Sequence, residues 1–117
     1  MKVVDAARGT TVAERVGVAE TPSSRRRGLL GTDTLPAGEG LLIAPCRQVH
    51  TFGMRYPIDA VFLDGGGRVI RVVHRLGPRR LSPMVWRARA VLELPAGTAE
   101  RAGIDVGDAL EIISHER

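Results

Sequence analysis

One cysteine, one lysine and four aromatic residues are all that this 117-residue chain holds of those types. Each scarcity removes a class of protein. A lone Cys46 leaves no internal disulfide and no structural zinc site of the multi-cysteine kind. Three scattered histidines, without a His-x-x-x-His spacing or clustered carboxylates, give no reason to expect a metal, and no cofactor is expected either. No apolar run approaches the roughly twenty residues that span a bilayer. Met1 to Gly9 also lacks the apolar core of a secretory leader, so the expectation is a soluble, cytoplasmic protein with no membrane partner.

Hydrophobic residues make up 44% of the chain, which excludes a mostly disordered one, and the length suits a single domain over residues 1–117 with one modest core. The formal net charge is +4, and apart from Lys2 every basic side chain other than histidine is arginine. Guanidinium groups favour flat anions such as carboxylate and phosphate, which keeps nucleic acid open as a partner. High-GC coding also enriches arginine, so the charge alone names no partner.

Along the chain, Thr10 to Ala19 is rich in β-branched residues, with Val12, Val16 and Val18 at period two, and predicts a first strand. Thr21-Pro22-Ser23-Ser24 reads as a helix start, with Thr21 as cap and Pro22 at the first position, and Gly31 as the stop. Arg25-Arg26-Arg27 is the densest positive run. Leu41 to Ala44 predicts a buried strand, a further strand is expected around Gln48 to Phe52, and Gly53 and Pro57 bracket a bend. Ile58 to Leu63 predicts a strand buried on both faces, and Asp64-Gly65-Gly66-Gly67 a tight hairpin to a partner in Arg68 to Arg75. Between Val85 and Leu94 apolar and polar residues alternate. Trp86, Ala88, Ala90, Leu92 and Leu94 would face one side, and Val85, Arg87, Arg89, Val91 and Glu93 the other, as on a half-exposed strand. Thr98 to Ala102 predicts one helical turn stopped by Gly103, Ala109 to Ile113 a last strand, and His115 to Arg117 a frayed end.

About six short strands with hairpin connections and one or two short helices predict a mainly β (α+β) fold, a compact antiparallel β-barrel or rolled sheet. Closure would hide the strand edges.

Several short segments then resemble the DUF192 family (COG1430) in the same order. They are Arg27-Gly28-Leu29-Leu30, Gly40-Leu41-Leu42-Ile43, Pro57-Ile58-Asp59 with Val61-Phe62-Leu63-Asp64, Leu92 to Gly97, and Gly103-Ile104 with Gly107-Asp108. The resemblance spans roughly Val12 to Ile113. It implies a small β-rich domain and brings no established activity, substrate or catalytic residue. Where a common form of the family carries Trp-Met-Lys-Asn-Thr, this chain has His50, Thr51, Phe52, Gly53 and Met54. The resemblance also brings relatives exported behind a leader, which is not expected here because Met1 to Gly9 has no apolar core. Ala99 to Leu110 separately resembles the helix-turn-strand piece of bacterial PDZ domains, but the glycine-rich carboxylate-binding loop of those domains has no counterpart here.

Candidate chemistry concentrates in Pro45 to Asp64, which holds the cysteine, one histidine and three of the four aromatics. Cys46 with His50 invites a nucleophile-base reading, but positions four apart on a strand do not touch unless the chain bends. His50 with Asp59 would meet if the Gly53–Pro57 bend folds one strand on the next, either as a structural hydrogen bond or as a hydrolase-type dyad. The leading expectation is a small soluble binding domain. Its polar cleft near residues 50–59 would take an anionic or polyol ligand through His50, Thr51, Met54, Arg55 and Asp59. The two alternatives are a hydrolase using His50 and Asp59, and weak nucleic-acid or polyanion binding through the arginine-rich surface. The latter would want exposed aromatics, and Phe52, Tyr56, Phe62 and Trp86 are expected mostly in the core.

Overall fold

The structure, a computed structural model, describes residues 1–114. The fraying expected of His115 to Arg117 lies outside the described residues. Eight strands and two short helices follow one another as β1 (Lys2–Asp5), β2 (Thr10–Ala13), β3 (Arg15–Ala19), α1 (Pro22–Arg27), β4 (Glu39–Ile43), β5 (Ile58–Leu63), β6 (Val69–Leu76), β7 (Ala90–Pro95), α2 (Thr98–Ala102) and β8 (Leu110–Ile113).

No barrel forms. The strands make a three-stranded sheet, β2-β1-β8, and a five-stranded sheet, β3-β4-β7-β5-β6, whose edges β3 and β6 do not pair. The fold is therefore mixed α+β with two open sheets. The expected all-antiparallel pattern fails at β3 and β4, which pair in parallel because the chain between them crosses over through α1 instead of turning back. The single strand expected over Thr10 to Ala19 is two. At Glu14 the chain leaves one sheet for the other, and the amides of Glu14 and Arg15 both donate to the Gly38 carbonyl, at 2.8 and 2.9 Å.

The five-stranded sheet is covered on both faces. On one face Val16, Leu42, Val61, Leu63, Leu92 and Leu94 pack with Val3 and Val12 of the smaller sheet and with Ala99 of α2. On the other, Ile43, Ala60, Phe62 and Val91 lie under α1 and two loops that bring Val49 and Ala88. This double coverage explains why all six residues of β5 are buried. It also corrects the reading of β7. That strand sits between β4 and β5, begins only at Ala90, and buries Val91, Leu92, Glu93 and Leu94 alike. Residues 85–89 form a turn, closed by the Ala88 amide donating to the Val85 carbonyl at 3.0 Å, and Trp86 is left 74% exposed.

The tight hairpin joins β5 to β6 where Asp64 and the glycines predicted it. Asp64 accepts from the amides of Gly66 and Arg68, both at 2.9 Å. Gly67 has φ +84, and a Cβ there would lie 2.5 Å from the Leu110 carbonyl oxygen, so only glycine lets β8 close over the turn.

Candidate functional site

The predicted strand at Gln48 to Phe52 is an irregular loop that runs beside a second loop, residues 77–83, in which Pro78 and Pro83 have no amide to donate. One isolated bridge, His50 to Leu81, joins the two loops, with backbone hydrogen bonds from Ser82 to Val49, from Thr51 to Arg80 and from Arg79 to Thr51. Side chains clip the two loops further. Ser82 Oγ accepts from the Val49 amide at 2.9 Å, and Thr51 Oγ1 donates to the Gly77 carbonyl and accepts from the Arg80 amide. Thr51 is fully buried in that role.

Asp59 is equally structural. Its carboxylate, wholly buried, accepts from the Arg75 amide at 2.9 Å, the Gly97 amide at 3.0 Å and the Ala99 amide at 2.9 Å. Gly97, the residue that caps α2, has no side chain for the task, so a strand across the sheet supplies it. His50 is exposed and stacks on Phe52, with ring centroids 5.6 Å apart. The His50–Asp59 dyad is not assembled: every hydrogen bond of the carboxylate goes to backbone, of β6 at Arg75 and of the start of α2 at Gly97 and Ala99, and the imidazole stands over the loop at the other face. Arg55 is drawn away as well, into an exposed ion pair with Asp33 at 2.7 Å.

Two of the five expected ligand-binding residues, His50 and Met54, line a cleft of about 50 Å³ between α1 and the sheet. Its floor is Glu93. The residue is 2% exposed, its cross-strand neighbours are Leu41 and Ala60, and Oε1 has no hydrogen-bond partner. Removal from water pushes its carboxyl pKa up to about 7. α1 forms the roof. Thr21 accepts from the Ser24 amide at 3.1 Å and Ser24 Oγ accepts from the Thr21 amide at 3.0 Å, a reciprocal cap that starts the helix. The helix ends at Gly28 (φ +49), three residues before the expected Gly31, and a Cβ on Gly28 would lie 3.9 Å from Glu93 Oε1. The short helix places Arg25, Arg26 and Arg27 at the cleft, in the last turn where cations suit the helix dipole.

Cys46 and Gln48 complete the wall. The Cys46 thiol donates to the Gln48 carbonyl at 3.2 Å, and burial pushes its pKa up, with the Glu93 charge adding to the rise. A thiol so held is a poor nucleophile at neutral pH, which argues against the Cys46–His50 reading. Gln48 Nε2 donates to the Ser82 carbonyl at 2.9 Å. Among the described residues no three His, Cys, Asp or Glu side chains gather to hold a metal, and no helix is long and apolar enough to cross a membrane. Glu93 is the residue that sequence reading missed. The available signal was a charge inside the unbroken apolar run Val91-Leu92-Glu93-Leu94, which marks a strand buried on both faces.

Two solved structures share this arrangement of elements. A protein of unknown function from Novosphingobium aromaticivorans DSM 12444 is 26% identical over 83% of this chain and 74% of its own, with a TM-score of 0.76. A chain from Sinorhizobium meliloti 1021, described as a candidate transcription regulator, is 26% identical over 94% of this chain and 89% of its own, with a TM-score of 0.78. Among curated proteins, none matches. The pattern of the DUF192 family, described as "Uncharacterized ACR, COG1430", matches residues 3–112, and the chain belongs to that family.

Proposed function

We propose that the cleft under α1 binds the polar end of a small hydroxylated anion, and that the domain is a binding module rather than a catalyst. The unpartnered Glu93 oxygen carries this reading. A buried carboxyl without a hydrogen bond is unfavourable by a few kcal/mol, and a donor brought by a ligand would remove that penalty. A ligand hydroxyl suits Glu93, while an attached carboxylate or phosphate suits the arginines of α1 and His50 at the rim. The small volume means that only one end of the ligand enters, since a single water occupies about 30 Å³ in the liquid. Met54 supplies an apolar wall against the carbon skeleton.

Calorimetry with glycerol 3-phosphate, glycerol and inorganic phosphate tests the two-part recognition. The joined probe should bind at least about tenfold more tightly than either fragment, and Glu93→Leu and Arg25→Ala should each remove most of that advantage. Equal binding of phosphate alone, unchanged by Glu93→Leu, would refute the role of the floor.

A further inference from the structure

A second surface adjoins the cleft and shares Arg25, Cys46 and Gln48 with its wall. Trp86 and Met84, 74% and 41% exposed, stand between two grooves of about 360 and 350 Å³ that both side chains line. Arg47 and Arg89 line the first groove, and Arg71 and Arg87 the second. No carboxylate lines either, and among the described residues none of these four arginines forms an ion pair. Asp64, whose pKa is lowered chiefly by hydrogen bonds from the Arg68 and Gly66 amides and only least by the Arg87 charge, lines neither groove. The loop is held in place by its backbone: Arg47 Nε donates to the Trp86 carbonyl at 3.0 Å, and the Val85 amide to the Arg47 carbonyl at 2.8 Å.

A large apolar ring left in water on a fixed loop, with cations on both sides, matches a partner that alternates flat rings with negative charge. We propose that this ridge binds single-stranded nucleic acid, with a base stacked on Trp86 and the flanking phosphates in the two arginine-lined grooves. Duplex is the poorer match. Its bases are stacked on each other, and helices of six and five residues offer nothing to read a major groove. An acidic polypeptide would satisfy the arginines and leave the indole face unused.

Trp86 is the only tryptophan, so its emission reports stacking directly. The test titrates the protein with an oligothymidylate of about twelve nucleotides, a duplex of the same length, and polyglutamate. Expected are quenching by the oligothymidylate and an affinity that falls steeply between about 50 and 200 mM salt. In fluorescence anisotropy with a labelled strand, Trp86→Ala should weaken binding about tenfold or more and Trp86→Phe less. Arg71→Ala and Arg89→Ala should each reduce the salt slope by about 0.7. These side chains are exposed, so the backbone (far-UV) circular dichroism should be essentially unaltered in all four variants. Absence of binding at low salt, binding without quenching, or duplex or polyglutamate binding as tightly as the single strand would each overturn the proposal.

Discussion

Asp59 and Glu93 lie on adjoining strands one register row apart, and both are almost wholly buried, yet their surroundings are opposite. Asp59 points to the face covered by α2 and accepts three backbone hydrogen bonds, while Glu93 points to the face under α1 and leaves one oxygen with none. The first is explained completely by the fold. The second is a strain on it. A charged group that the fold uses is recognised by satisfied partners, and one that the fold merely tolerates by their absence, so burial alone separates neither case.

The sharpest way to break this comparison is to remove Asp59. Asp59→Ala strands the amides of Arg75, Gly97 and Ala99 in the interior, and should lower unfolding stability by about 4 kcal/mol in urea titrations. A loss below about 1 kcal/mol would show that those amides find other acceptors, and the contrast with Glu93 would fail.

Glu93→Gln tests the other side. With its carboxyl pKa raised from 4.5 to about 7, the folded state holds a proton that the unfolded chain releases. Stability is then full below the unfolded value and falls as pH rises through the folded one, by about 3 kcal/mol in total. The glutamine variant cannot ionise. Its stability relative to wild type should therefore climb by about 3 kcal/mol between roughly pH 4 and pH 8. Parallel pH profiles would mean that Glu93 ionises as freely as in water.

These two carboxylates also mark what the sequence could and could not disclose. Local chemistry was readable: the Thr21 cap, the Asp64 hairpin and the Gly103 stop each depend on residues within a few positions. Pairing was not. The parallel partnership of β3 with β4 and the central place of β7 are set by contacts far apart in the chain, and with them went the faces. Alternation grouped Glu93 with Arg87 and Arg89 on one face of a single strand, although residues 85–89 turn and the strand begins after them. Asp59 was singled out correctly as unusual but given a role that its three amide partners preclude.

Thr51 extends the satisfied class to a neutral group. Thr51→Val keeps the shape but strands the Arg80 amide and frees the Gly77 carbonyl, and should lower stability by about 1–2 kcal/mol without altering its pH dependence. A change in pH profile would tie this loop clip to the Glu93 cleft and blur the division.

The smallest effect reads the charge on Glu93 through its neighbour. Ionised Glu93 holds the Cys46 thiol pKa up, on top of the larger effect of burial, while Arg25 pulls it down. Removing the charge should leave the thiol buried and still slow, but more acidic than before. At pH above the Glu93 transition, iodoacetamide should therefore alkylate Cys46 a few-fold faster in Glu93→Gln than in wild type, because the thiolate is the reacting species. At pH below that transition the side chain at position 93 is neutral in both proteins, and the rates should converge. An identical rate ratio at both pH values would mean that the two groups do not sense each other across the cleft. Glu93 would then be an isolated fault in the core instead of the floor of a site.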